Sequence, residues 1–208
     1  MTLLDPVAAS HRQLATVEGP EELVLIGGNW TYPAFGLSPV LAARDSIIVY
    51  GSSERFEAQV MDVRGRVIRT VGLPRSRQPV TDSLQRLYEY DITRRLIEFA
   101  RSTGRDTLAV IEGGVRQRPV FADSVPAIGT ITLDQDLNIW VSEYGLRENP
   151  ATLWFVFSIA GDLLSEVEVP AGFRIFEVGA DWILGVQRDQ DGLERVHVHR
   201  LVKPAVQH

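Results

Sequence analysis

Apolar and polar residues alternate in three separate stretches of the chain, and glycine or proline turns bound each stretch. The first stretch, residues 45–74, predicts strands at Ser46–Tyr50, Phe56–Val63 and Arg66–Leu73. A turn at Arg64-Gly65 joins the last two strands. Because a period of two places alternate side chains on one face, these strands predict an antiparallel sheet packed against a core.

A second stretch, residues 137–170, repeats this order. Its predicted strands are Asn138–Glu143, Leu153–Ser158 and Leu163–Val169. Gly161 stands at the same offset from Gly65 as Pro170 does from Pro74, so the turns recur with the strands. The first hairpin of this copy is longer by four residues.

A third copy covers Asp181–Leu201, where Ile183 corresponds to Ile47 and Val196 to Val60 at one constant offset. A short apolar segment precedes each copy: Pro39–Ala43, Ile128–Leu133 and Phe173–Val178. Each unit therefore has four predicted strands, except that the third ends without its outer strand. Four-stranded antiparallel units that must stack to bury both faces are typical of β-propeller blades.

A helix interrupts the repeats between the first two copies. Thr81-Asp82-Ser83 supplies N-cap oxygens, and apolar residues follow at three- and four-residue steps until Gly104: Leu84, Leu87, Tyr88, Ile92, Leu96 and Phe99. The predicted fold class is all-β, with about three propeller blades and one inserted amphipathic helix at about 81–103. We divide the chain into an N-terminal tail (1–20), a partial propeller (21–202) and a C-terminal tail (203–208).

The segment Asp134–Val141, with Trp140 near its end, resembles the D-x-D-G-N-x-W-V turn and strand of six-bladed NHL-like and TolB-like bacterial β-propellers. Leu137 stands where that pattern has glycine. The segments Phe157–Gly161 and Val186–Val196 are also similar to such blades, and the resemblance extends over about residues 21–201. It implies about half of a six-bladed ring, and a fold of this kind hosts many functions.

Three blades cannot close a ring, because propellers use about four to eight. An open stack would leave apolar faces and strand edges in water. We therefore expect two chains to form a twofold-symmetric six-bladed ring, in which the strand Glu22–Gly27 of each completes the Asp181–Leu201 blade of the other. The equally weighted alternative is that the sequence is part of a longer single-chain propeller.

Charge and composition exclude some classes of partner. The net charge of −6 and the lack of a Lys/Arg cluster disfavour nucleic acid. No apolar run is long enough for a membrane span, and Asp5 and Pro6 interrupt any export signal in the sequence as written. We expect a soluble protein, cytoplasmic unless the sequence is a fragment of an exported one. The absence of cysteine excludes disulfides and thiolate chemistry.

Asp134, Asp136 and Asn138 have the D-x-D-x-N spacing with which oxygen ligands converge on calcium. They are the candidate metal ligands, although the glycine and glutamate of a complete calcium loop are missing. Polar turns between blade strands produce the same pattern, and this structural interpretation is favoured. Asp189, Asp191 and Glu194 carry a similar spacing.

Two further groups are candidates for binding. Trp30, Tyr32 and Phe35 lie in one predicted loop, where aromatic rings with polar tips suit a sugar or a protein surface; a buried anchor is the alternative. His197 and His199 share one face of a strand, as metal-binding pairs do, but a partly exposed pair near the C-terminus is favoured.

The sequence contains no nucleophile-elbow, P-loop, dinucleotide-binding or zinc-protease motif. We therefore expect a non-enzymatic module that binds a small molecule or a protein at one mouth of the central channel, with no cofactor apart from possible calcium. The rival hypothesis is a calcium-dependent hydrolase resembling the propeller lactonases, with Asp134 and Asn138 holding the metal.

Overall fold

The computed structural model describes residues 2–5, 10–13, 16–17, 19–26, 28–115, 119–146, 151–188 and 193–202. The chain forms two compact units, which are described separately. The first comprises Met1–Gly19, Pro39–Ser76 and Ala127–His208, and the second comprises Pro20–Ser38 and Arg77–Pro126. The fold is mostly β, as the sequence predicts, with two helices where one was expected.

The strands in chain order are Thr2–Asp5 (β1), Ser10–Gln13 (β2), Val24–Ile26 (β3), Asn29–Thr31 (β4), Val40–Arg44 (β5), Ile47–Gly51 (β6), Glu57–Asp62 (β7), Val67–Gly72 (β8), Ile128–Leu133 (β9), Ile139–Glu143 (β10), Ala151–Phe157 (β11), Leu163–Pro170 (β12), Arg174–Val178 (β13), Trp182–Arg188 (β14) and Glu194–Arg200 (β15). The helices are Asp82–Thr103 (α1) and Thr107–Val115 (α2).

Three antiparallel sheets dominate the first unit, and within each of them neighbouring strands are consecutive in sequence. The first sheet has the order β5-β6-β7-β8, the second β9-β10-β11-β12, and the third β13-β14-β15. The strands predicted in the three sequence repeats are all present, with ends shifted by one or two residues. The third sheet has three strands among the described residues.

The second sheet is buried on both faces, because its strands carry apolar side chains at successive positions. Ile139 and Val141 pack with residues of the first sheet, including Val60, in one core. Trp140, between them in β10, points the opposite way and packs with Ile183 of the third sheet. The three sheets therefore stack, which agrees with the prediction that one repeat cannot bury its faces alone.

The two outermost faces of this stack differ. On the first sheet, Ile48, Tyr50 and Met61 form a small core with Val17, so this face is covered. On the third sheet, Val196 and Val198 lie on the face opposite Ile183, because His199 is the residue paired with Ile183. Val196 is 70% exposed and Val198 is 66% exposed, so β15 presents apolar side chains to solvent on the outer face of the third sheet.

The second unit combines the β3-β4 hairpin with the two helices. Helix α1 confirms the prediction at 81–103: the Thr81 side chain accepts a hydrogen bond from the Leu84 backbone N–H at 3.3 Å. The helix ends at Gly104, whose φ of 66° is left-handed and suits glycine. Neither described helix is long and apolar enough to cross a membrane.

Four elements differ from the sequence-based expectation, namely β1, β2, α2 and β4. Strands β1 and β2 form a hairpin inside the segment expected to be a tail. Helix α2 was not predicted. The strand expected at Glu22–Gly27 is present as β3. It pairs within its own chain with β4, and β4 lies in a segment that was expected to be a loop. The C-terminal segment 203–208 lies outside the described residues.

Candidate functional site

The first strands of the three sheets, β5, β9 and β13, lie side by side in the first unit. Between them is a cleft of about 490 Å³. Its walls come from all three strands: Leu41, Arg44, Ile131, Thr132, Phe176 and Glu177. Because each strand comes from a different repeat, the cleft forms only when the sheets stack.

Arg44 and Glu177 are the charged residues that line this cleft. Arg44 Nη1 donates a hydrogen bond to the backbone carbonyl of Leu133 at 3.1 Å, and Arg44 Nη2 lies 3.3 Å from Glu177 Oε1. Both side chains are partly exposed, so solvent screens the ion pair and its contribution to stability is small. Its effect is to fix the direction of a guanidinium and a carboxylate that border the same cleft.

The apolar part of the cleft is formed by Leu41 and Phe176, whose side chains are both exposed. The guanidinium of Arg174 lies 5.0 Å from the centroid of the Phe176 ring, a cation-π contact that supports the ring from one side. Exposed apolar surface beside a fixed charged pair suits a ligand with an apolar body and a polar group.

Asp134 is fully buried in the turn between β9 and β10. Its Oδ1 accepts hydrogen bonds from the backbone N–H groups of Asp136 (2.9 Å) and Asn138 (2.8 Å). Its Oδ2 accepts from Asn138 Nδ2 at 2.9 Å and from the Trp140 indole at 3.3 Å. The carboxylate thus ties the turn to the start of β10.

These contacts bear on the predicted metal ligands Asp134, Asp136 and Asn138. Both oxygens of Asp134 accept donors of the chain itself, which is the arrangement of a polar turn. No group of three histidine, aspartate or glutamate side chains among the described residues could hold a metal ion. The geometry favours the turn interpretation, and calcium binding stays a prediction. Asp189 and Asp191 lie outside the described residues.

Leu137 in the same turn has a φ of 63°, the left-handed conformation that glycine adopts without strain. This is the position at which the resembling motif has glycine. The leucine side chain does not favour this backbone conformation.

The aromatic candidates Trp30, Tyr32 and Phe35 occupy two different environments in the second unit. Phe35 is partly buried, and its ring centroid lies 5.3 Å from that of Tyr88 and 6.2 Å from that of Phe121. It is an anchor, as the alternative interpretation proposed. Trp30 and Tyr32 are exposed and remain candidates for binding.

His197 and His199 stack with their ring centroids 5.8 Å apart and their planes 7° from parallel. Both rings make T-shaped contacts with Phe173, at 6.4 Å and 5.1 Å between centroids. The pair therefore packs on an aromatic ring, which explains its position without a metal.

Sequence reasoning did not select the residues of the cleft. Arg44 ends one first strand and Glu177 lies in another, and no local motif marks either residue. Their proximity depends on the stacking of sheets formed by residues more than 130 positions apart in the sequence. The available signal in the sequence was the presence of opposite charges, Arg44 and Glu177, in the first strands of two different repeats.

Comparison of the chain with protein-family models, with curated proteins and with solved structures finds no match. The described residues form two four-stranded antiparallel sheets and one three-stranded antiparallel sheet, which stack, and no closed ring. Function is therefore argued from the residues of the chain itself.

Proposed function

We propose that the chain is a non-enzymatic binding module of the β-propeller type, with its ligand, a small molecule or a protein segment, in the cleft between β5, β9 and β13. The observation that carries this proposal is that two exposed apolar side chains, Leu41 and Phe176, line the same cleft as the Arg44–Glu177 ion pair. Because Arg44 and Glu177 form an ion pair with one another, they are better suited to orienting a bound ligand than to transferring a proton. First strands line the central channel of a propeller, so the cleft corresponds to that location.

The proposal includes a twofold pair of chains that completes a six-bladed ring. The three-stranded third sheet and its exposed Val196 and Val198 support a partner at that end of the stack. At the other end, Val17 already packs on Ile48 and Tyr50. Closure of the whole ring therefore requires the segment around Val17 to move, whereas addition of a strand to the third sheet does not.

The binding proposal is tested by thermal-shift measurements with carboxylic acids, monosaccharides and short apolar peptides as probes. We expect at least one class to raise the melting temperature. The shift should disappear in Arg44→Met and in Phe176→Ser and persist in Arg86→Met, which changes an exposed arginine of α1. A probe that is converted to product contradicts the non-enzymatic assignment, and a shift that survives both cleft variants contradicts the site.

A further inference from the structure

Strand β15 is an edge strand whose outer side has no neighbouring strand among the described residues. Its exposed valines, Val196 and Val198, alternate with His197 along the strand, so both project from the outer face of the sheet. An exposed edge with apolar side chains invites pairing with another strand, and proteins usually protect such edges. The third sheet thus offers both hydrogen-bonding groups and an apolar surface.

The β3-β4 hairpin carries a second exposed apolar face. Leu25 is paired directly with Trp30, so the two side chains share one face of the hairpin. Leu25 is 58% exposed and Trp30 is 67% exposed. Leu23 and Tyr32, also exposed, extend the same alternation. The outer edge of β3 has no neighbouring strand among the described residues.

The two edges are complementary in one antiparallel register. When Leu25 lies opposite Val196, the period of two places Leu23 opposite Val198 and Glu21 opposite Arg200. Two apolar pairs and one pair of opposite charge then fall on the same face. Glu21 Oε2 accepts the Leu37 N–H at 2.9 Å, and a carboxylate has capacity for further donors.

Other alignments lose this agreement. A shift of two residues that places Leu25 opposite Val198 puts Leu23 against Arg200. A parallel arrangement with Leu25 opposite Val198 puts Glu21 against Glu194, and like charges directly opposite are destabilising. Of these three arrangements, the antiparallel one with Leu25 opposite Val196 is the one that combines two apolar pairs with a pair of opposite charge, and antiparallel is the orientation that a fourth blade strand requires.

We infer that β3 of a second copy of this chain pairs antiparallel with β15, with Leu25 opposite Val196, and supplies the missing fourth strand of the third sheet. This inference rests on the dimer in the proposed function and specifies its contact. The pairing brings the partner's hairpin face next to Val196 and Val198, so the apolar surface of the sheet continues into that of the hairpin. It is reciprocal in a twofold dimer, and two such contacts form at once.

The absence of cysteine from the chain allows a direct test by disulfide cross-linking. Two separate proteins, Leu25→Cys and Val196→Cys, are mixed and oxidised at micromolar concentration. Cβ atoms directly opposite in an antiparallel pair lie about 4.5–5.5 Å apart, close enough to bridge with small adjustment. We expect a mixed covalent dimer of twice the 23.2 kDa chain mass, and the same product from Leu23→Cys with Val198→Cys.

The matched control is Leu25→Cys mixed with Val67→Cys, because Val67 is an exposed valine on another edge strand, β8. Equal cross-linking of this pair would overturn the inference. Circular dichroism and melting curves verify that each variant is folded before mixing.

The remaining outcomes separate the register from the dimer. If sedimentation shows a dimer but neither pair cross-links above the control, the contact is wrong while the ring proposal stands. A monomer at all concentrations overturns both. A double variant, Leu25→Cys with Val196→Cys in one chain, that forms its disulfide within the monomer also overturns the inference, because β3 would then complete its own sheet. Ligand binding in the cleft is measured separately and is unaffected by these results.

Discussion

Asp62 and Ser158 stabilise equivalent turns in the first and second sheets. Asp62 Oδ1 accepts hydrogen bonds from the backbone N–H groups of Arg64 (2.9 Å) and Arg66 (3.0 Å). Ser158 Oγ accepts the backbone N–H of Asp162 at 3.1 Å. The two turns occupy the same place in the sequence repeat, so the repeat preserves a backbone shape while the chemistry of the capping side chain differs.

This difference predicts a difference in pH dependence. Hydrogen bonds from the backbone and side chain of Arg66 lower the pKa of Asp62 below its ordinary value. A carboxyl group with a depressed folded-state pKa contributes stability above its unfolded pKa of about 4, and the contribution is lost as the pH falls through the folded value. We expect Asp62→Asn to lower the melting temperature at pH 7, with the difference from the native chain shrinking as the pH falls below about 4.

Ser158→Ala provides the control, because it removes the equivalent cap without removing a charge. Ser158 Oγ also donates a hydrogen bond to Asp162 Oδ2 at 3.2 Å, so we expect the effect of Ser158→Ala on the melting temperature to vary with pH, but less than that of Asp62→Asn. A constant difference between Asp62→Asn and the native chain down to pH 2.5 would contradict the assignment of the charge.

Substitution of Asp134 should be among the most destabilising changes outside the large apolar core. Asp134→Ala leaves the backbone N–H of Asn138 and the indole N–H of Trp140 without their acceptor, and we expect a loss of about 2–4 kcal/mol of unfolding free energy. Urea denaturation measures it, with Gln135→Ala, at an exposed neighbouring position, as the control. Added calcium should leave the melting temperature unchanged, and a rise abolished by Asp134→Ala would favour the metal interpretation.

Leu137→Gly should stabilise the protein, which is unusual for a large-to-small change. A left-handed backbone conformation costs a residue with a Cβ about 1–2 kcal/mol, and the substitution by glycine removes this cost. Glycine also increases the conformational entropy of the unfolded chain, which offsets part of the stabilisation. We expect a net increase of about 0.5–1 kcal/mol in unfolding free energy. Asp45 occupies the corresponding turn of the first sheet with a φ of 51°. Since aspartate tolerates this conformation better, Asp45→Gly should increase the unfolding free energy by less than Leu137→Gly does. An equal decrease in unfolding free energy in both variants would contradict the backbone strain at Leu137.

The aromatic residues Phe35 and Trp30 should respond in opposite ways. Phe35→Ala removes ring contacts with Tyr88 and Phe121, and we expect it to cost about 1–3 kcal/mol in chemical denaturation. Trp30→Ala removes an exposed side chain and should change the unfolding free energy by less than about 0.5 kcal/mol. A large loss in Trp30→Ala at a concentration where the chain is monomeric would show that Trp30 is structural.

The strands of the three sheets were predictable because local signals agree there. Gly65 and Gly161 both have a positive φ in tight turns, and the apolar alternation on either side of them fixes the strands. Helix α1 was predictable for the same kind of reason, since its cap at Thr81 and its end at Gly104 are both marked in the sequence.

The elements that were missed lack such agreement. Strand β2 is Ser10–Gln13, a wholly polar segment, and β4 is only three residues long after the turn at Gly28. The cleft was beyond the sequence for a different reason. Arg44 and Glu177 meet only through the packing of separate sheets, and no local pattern specifies that contact.

The second sheet, with Ile139 facing one neighbour and Trp140 facing the other, has a consequence for fragments of this protein. A proteolytic cut on either side of the second sheet would allow one neighbouring sheet to separate from it. The apolar surface exposed in this way would drive aggregation or rebinding of the separated fragment. Complementary halves produced separately should therefore reassemble, which would make the chain suitable for split-protein reporters.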